Sequence, residues 1–158
     1  MLPRELRDEI VAHAREHGRI ECCGLLAGRD GVARRLIRCA NVAETASVRY
    51  RIDPREQLAA FRSMDAADEE LVGIYHSHPA SQPYPSPTDR AEAHYPDALY
   101  VLVSLRTAEP EVHAYRIRDD AVTEVPIEIR PSPGASPLIP RGEPRGMPRS
   151  GPSTSGPP

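Results

Sequence analysis

A chain of 158 residues is long enough for one domain with a sizeable core, and its net charge of −3, with no lysine and 20 arginines, gives no global electrostatic basis for binding nucleic acid or an anionic membrane surface. The cysteines Cys22, Cys23 and Cys39 are odd in number and two are adjacent, a poor disulfide framework that suits a reducing compartment. The N-terminal residues lack an apolar signal core and no apolar run approaches the length of a membrane span, so the expected location is the cytoplasm.

In chain order, Leu2, Leu6, Ile10, Ala14 and His17 recur at helical spacing and Gly18 supplies a stop, predicting a helix over 3–17. Two strands follow at 22–28 and 32–40, joined by the hairpin turn Arg29-Asp30-Gly31. Alternating Val48, Tyr50 and Ile52 predict a third strand at about 47–52. Asp53-Pro54-Arg55-Glu56 then opens a second helix, with Asp53 as cap, Pro54 at the first helical position and Glu56 completing a box-like pattern. Its apolar stripe is Leu58, Phe61 and Met64. Leu71 to Tyr75 reads as a buried strand running into His76. A loop with Pro79, Pro83, Pro85 and Pro87 leads to a short helix at 87–94, and strands are expected at about 99–104, 111–118 and 121–129.

The composition changes at Pro131. The last 28 residues hold 9 of the 18 prolines and almost no large apolar side chains, too little to offset the entropy of ordering them. The expected organisation is therefore one folded domain over 1–130 and a disordered Pro/Gly-rich tail over 131–158. The order of elements predicts an α/β sandwich around a mixed sheet.

The chemistry concentrates in His76-Ser77-His78-Pro79 and Ser86-Pro87-Thr88-Asp89. Residues two apart in an extended chain point the same way, so His76 and His78 present both imidazoles to one place. Asp89 returns a carboxylate once the proline loop has turned the chain. Two histidines and one carboxylate leave a fourth zinc position open, as catalytic rather than structural sites do. A general base must come from elsewhere, because no H-E-x-x-H helix is present. Glu21, at the start of the apolar strand Cys22-Cys23-Gly24-Leu25-Leu26, is the residue placed for it.

This arrangement resembles the JAMM, or MPN+, zinc metalloprotease family. The shared elements are an upstream Glu, His-x-His-Pro, and Ser-x-x-Asp at the spacing seen here, together with the strand Glu21-Cys22-Cys23-Gly24-Leu25-Leu26-Ala27-Gly28. The resemblance implies a mixed β-sheet, partly barrel-like and sandwiched by helices, in a JAMM/cytidine-deaminase-like architecture. It implies Zn2+ held by His76, His78 and Asp89, with Glu21 as acid/base and Ser86 as the hydroxyl donating to the oxyanion. The bare domain looks nearest to bacterial Mec-type peptidases. That resemblance implies a partner, a small ubiquitin-like sulfur-carrier protein with a Gly-Gly tail, from which cysteine is released for biosynthesis.

Other readings of the same residues stay open at this level. The enzyme could deconjugate isopeptides or process carrier precursors, or the fold could be a non-catalytic scaffold. A deaminase is disfavoured, since the His-x-Glu and Pro-Cys-x-x-Cys elements are absent. Ser86 to Asp89 is also a capping box with Pro at the first helical position. Cys23 reads as a small buried hydrophobe, with a thiolate ligand as its alternative. Ser77 should point away from the metal, and His94 and His113 have no evident partners.

Overall fold

The computed structural model describes residues 1–127 and the backbone of 129–130. The elements are β1 (Leu2–Pro3), α1 (Arg4–His17), β2 (Cys23–Arg29), β3 (Val32–Cys39), α2 (Pro54–Ala66), β4 (Glu70–His78), α3 (Pro87–Ala91), β5 (Leu99–Ser104), β6 (Glu111–Arg118), β7 (Ala121–Val125) and β8 (Ile129–Arg130). Six strands form one mixed sheet in the order β3-β2-β4-β5-β6-β7. Only β4 and β5 run parallel; the other neighbours are antiparallel. β1 and β8 pair separately and in parallel.

Side-chain alternation along the strands divides the core between the two faces of the sheet. On one face, Ile10, Val11 and Ala14 of α1 pack with Leu26, Tyr75, Val101 and Val103. On the other, Ala60 and Met64 of α2 pack with Leu25, Ala27, Ile74, Tyr100 and Leu102. The helix-sandwiched mixed sheet is thus as expected. The sheet is open, however, with β3 and β7 as its edges, so its partly barrel-like character does not extend to closure. The register shift that leaves Val72 unmatched in β4 transfers that residue to the α1 face.

Five local expectations are corrected. Residues 47–52 do not form a strand; the segment makes a single bridge, Asn41 to Ile52. Asn41 closes this stretch as a loop instead. Its Oδ1 accepts from the N–H groups of Ala43 and Arg51, while its Nδ2 donates to the carbonyls of Glu21 and Arg49. A side chain therefore satisfies backbone groups that a ladder would have paired. Asp53 does cap α2, accepting from Arg55 and Glu56 N–H, but Glu56 does not close a box. Its carboxylate accepts from Ala40 N–H at 2.6 Å, tying α2 to the end of β3. The third helix stops at Ala91 rather than 94, with Glu92 at its C-cap. β7 ends at Val125, before Pro126, and β8 belongs to the separate pair with β1. Leu2 likewise lies in β1, ahead of the first helix. The tail expected over 131–158 lies outside the described residues.

Candidate metal centre

β4 ends in His76-Ser77-His78, and strand alternation sends both imidazoles to the α2 face. Ser77 faces the other way, where its Oγ accepts from Cys22 N–H at 2.9 Å. In the β2–β4 ladder Cys23 stands opposite His76. Extended by two residues, the same antiparallel register sets Glu21 opposite His78, on the same face. Ser77 N–H donating to Cys22 carbonyl at 3.0 Å carries the pairing to that point.

Asp89 arrives from α3. Ser86 Oγ accepts from Asp89 N–H at 3.1 Å, and Asp89 Oδ2 accepts from Ser86 N–H at 2.7 Å, a complete capping box behind Pro87. The cap and the carboxylate's approach to the histidines are therefore one arrangement. Ser86 accepts through its oxygen and keeps its hydroxyl proton to donate.

His76 Nε2 lies 3.4 Å from Asp89 Oδ1, His78 Nε2 lies 3.5 Å from Asp89 Oδ2, and the two Nε2 atoms are 3.1 Å apart. All three residues are buried, at 0%, 3% and 7% exposure. Among the described residues this is the one cluster with metal-ligand spacing, and Cys23 is outside it. Cys23 is fully buried with its thiol directed at Cys39 carbonyl, and burial raises its pKa, as suits an inert core group.

The donor set fits a cation. His78 Nδ1 lies 2.8 Å from Gln82 carbonyl, which only accepts, so Nδ1 carries the proton and neutral His78 turns a lone pair at Nε2 inward. That lone pair meets another imidazole nitrogen and a carboxylate in a buried space, an electron-rich group lacking a positive centre. Two nitrogens sharing a tetrahedral zinc at about 2.0–2.1 Å would stand about 3.3 Å apart, close to the separation observed.

Burial lowers the pKa of His76; for His78 the neighbouring Asp89 carboxylate and the Gln82 carbonyl favour the charged form, outweigh burial and raise it. Asp89 is buried too, but the adjacent imidazoles of His76 and His78 and its bond to Ser86 hold it well below the usual carboxylate range. Glu21 is 4% exposed and its Oε2 is buried without a hydrogen-bond partner. Burial raises its pKa to about 7, with His78 opposing and Asp89 assisting.

The structure brings together every residue singled out in the sequence: Glu21, His76, His78, Ser86 and Asp89. It adds Tyr50, whose ring stacks on His76, and Gln82, whose carbonyl orients His78. Tyr50 was hidden because its segment resembled a strand; the part played by Gln82 is a backbone carbonyl's, which residue type does not reveal. A cavity of about 390 Å3 adjoins the centre, lined by Tyr50, Ile52, Gln57, Ile74 and Tyr95 among others. A more apolar cavity of about 340 Å3 lies on the α1 face, around Leu2, Val72, Val101 and Ile127, away from the histidines. His113, for which no partner was evident, pairs with Glu124 at 2.7 Å.

The chain is 48% identical over 128 residues to the CysO-cysteine peptidase of Mycobacterium tuberculosis, covering 79% of this chain and 87% of the relative. It is 40% identical over 110 residues to the desampylase of Haloferax volcanii, covering 65% and 78%. A solution structure of a Desulfitobacterium hafniense protein superposes with a TM-score of 0.75 at 33% identity, covering 83% of this chain and 92% of that one. A JAB1/MPN domain protein from Archaeoglobus fulgidus shares the fold, with a TM-score of 0.55 at 18% identity over 82% and 94%. The family of prokaryotic homologs of the JAB domain matches residues 3–118, most of the described chain, and it is to this family that the protein belongs.

Proposed function

We propose that this protein is a cytoplasmic zinc metallopeptidase. It hydrolyses the amide after the C-terminal Gly-Gly of a small ubiquitin-like sulfur carrier and releases cysteine. The observation that carries this reading is the convergence of His76, His78 and Asp89 opposite a buried Glu21 carboxylate whose Oε2 has no hydrogen-bond partner. The substrate class follows the names of the relatives, a CysO-cysteine peptidase at 48% identity and a desampylase at 40%.

His76, His78 and Asp89 would hold the zinc. When bound, zinc polarises the scissile carbonyl and makes water a nucleophile near neutral pH. Glu21, with a pKa near the working pH, takes a proton from the attacking water and passes it to the leaving amine. Ser86 donates its hydroxyl proton to the oxygen that gains charge, while its own oxygen stays engaged at Asp89 N–H. The cavity lined by Tyr50, Ile52, Ile74 and Tyr95, with Arg51, Glu92 and His94 also on its wall, meets the centre through Tyr50, which stacks on His76, and offers an extended tail a mixed apolar and polar surface. Glycine at the scissile position suits this path, since backbone without a Cβ approaches the centre most closely.

A second reading, in which the same residues cleave carrier–lysine isopeptides, is favoured by the likeness to the desampylase. Zinc-loaded protein is incubated in parallel with a carrier–cysteine adduct and a carrier–lysine conjugate. Cysteine release at the higher kcat/KM supports the first reading, and preference for the lysine conjugate supports the second. Cleavage of neither, alongside an active relative, refutes both.

A further inference from the structure

Three successive carbonyls of the loop between β4 and α3 are each held by a side chain from a different strand. Ser104 Oγ donates to Ser81 carbonyl at 2.6 Å, His78 Nδ1 to Gln82 carbonyl at 2.8 Å, and Tyr115 Oη to Pro83 carbonyl at 2.5 Å. The donors lie on β5, β4 and β6. Ser104 is paired with His78 in the β4–β5 ladder, and Tyr115 packs on the α2 face, the face the histidines share. The arrangement needs all three strands in register. Prolines at 79, 83 and 85 remove backbone donors from this stretch, so side chains hold the Ser81 and Pro83 carbonyls, while the Gln82 carbonyl accepts from Tyr84 N–H at 2.8 Å as well as from His78.

The middle bond differs in consequence from its neighbours. Gln82 carbonyl keeps the proton of His78 on Nδ1 and so leaves Nε2 free to face His76 and Asp89. A carbonyl's direction is set by the peptide planes beside it, and here both neighbouring carbonyls are anchored. Ser104 is 0% exposed, and its oxygen also accepts from Arg106 N–H, so its rotamer is held. Tyr115 is buried and its ring packs against Tyr84 at 5.6 Å, so its hydroxyl cannot swing far. The same loop ends at Ser86, the cap that aims Asp89.

We propose that Ser104 and Tyr115 are positioning residues for the metal centre: they anchor the carbonyls on either side of Gln82, so that its carbonyl fixes His78 in the tautomer and orientation that bind metal. They touch neither metal nor substrate. The inference rests on the metal reading above.

The test uses full-length Tyr115→Phe and Ser104→Ala. Both keep the packing volume nearly unchanged; Tyr115→Phe removes one donor, and Ser104→Ala removes a donor together with the acceptor of Arg106 N–H. Zinc affinity is measured by competition with a chromophoric chelator. The tautomer of His78 is followed in chelator-treated protein through its imidazole nitrogen resonances, assigned with His78→Gln. The expected result is zinc binding weakened roughly three- to tenfold in each variant, with a rising share of the Nε2–H tautomer of His78. A lowered melting temperature with unchanged zinc affinity and tautomer, in variants of a wild type that binds zinc, would overturn the positioning role alone. Failure of wild-type protein to bind zinc would overturn the metal reading beneath it. If Ser104→Ala does not fold, Tyr115→Phe alone decides.

Discussion

The ring of Tyr50 lies face-on against His76, with centroids 4.3 Å apart and planes inclined by 22°. His76 Nδ1 is buried and has no hydrogen-bond partner, whereas His78 Nδ1 is held by Gln82 carbonyl. One histidine is therefore oriented by stacking and the other by a hydrogen bond. Stacking contributes about 0.5–1.5 kcal/mol beyond burial, so Tyr50→Ala should weaken zinc binding roughly three- to tenfold. Tyr50→Phe, which keeps the ring, should bind as wild type. Chelator competition with the two variants measures both.

Glu21→Gln should keep zinc and stability but lose turnover by about 10²–10⁴-fold, because the amide fills the same space without accepting a proton. Metal content and kcat, measured on one preparation, separate the two effects. Near-normal kcat in a zinc-replete Glu21→Gln protein would rule out the base assignment.

Asp89→Asn should bind little zinc while keeping the helix start, since an amide oxygen still accepts from Ser86 N–H. In wild type, zinc at a hundredfold above its Kd stabilises by about 2.7 kcal/mol, which corresponds to roughly 5–10 °C in melting temperature. Thermal scans with and without chelator should show that shift in wild type and none in Asp89→Asn.

Ser86→Ala removes two things at once. Losing the cap on Asp89 N–H should cost about 1 kcal/mol of stability, read by urea denaturation. Losing the hydroxyl proton should cost about 10²-fold in kcat, read on protein that is fully folded and zinc-loaded. A variant that unfolds more easily but turns over normally would confine Ser86 to its structural task.

His13 should contribute a loss of stability in acid, read as the difference between wild type and His13→Gln, because Glu21, whose folded pKa is raised, acts in the opposite sense over much of the same range. Burial, with help from His17 and Arg38, lowers the pKa of His13 to about 4, and its Nδ1 meets Tyr75 hydroxyl at 2.8 Å. The unfolded histidine takes its proton near 6.5. Between these values the unfolded state binds more protons at this site, so the His13 contribution to stability rises with pH, by up to about 1.4 kcal/mol per unit. It is lost as pH drops from about 6.5 towards 4 and levels off below. Urea midpoints of chelator-treated wild type and His13→Gln at pH 7, 6 and 5 should converge at acid pH, because the substituted amide has no proton to gain.

Much of the metal centre was legible in the sequence because its elements are local. His-x-His needs only strand alternation to place both rings together, and Ser86-Pro87-Thr88-Asp89 encodes its own cap. The helices at Arg4–His17 and Pro54–Ala66 were legible for the same reason: their periodicity, stops and caps lie within a few residues. The strand expected at 47–52 failed because alternation of Val48, Tyr50 and Ile52 is equally compatible with a loop. Which one forms was decided by Asn41, whose side chain took the backbone groups of Arg49 and Arg51.

By itself, then, the sequence determined the residue types of the cluster, their spacing, the cap that turns Asp89 inward and the resemblance that named a candidate base. The tertiary structure decided what depends on register between distant strands. It set Glu21 on the face of His78, laid Tyr50 on His76, and aligned Ser104 and Tyr115 with the loop that orients His78. The physical reason is range. Periodicity and capping act over one to four residues, whereas apposition across a sheet follows from how whole strands pair and bury their faces, which no short segment specifies.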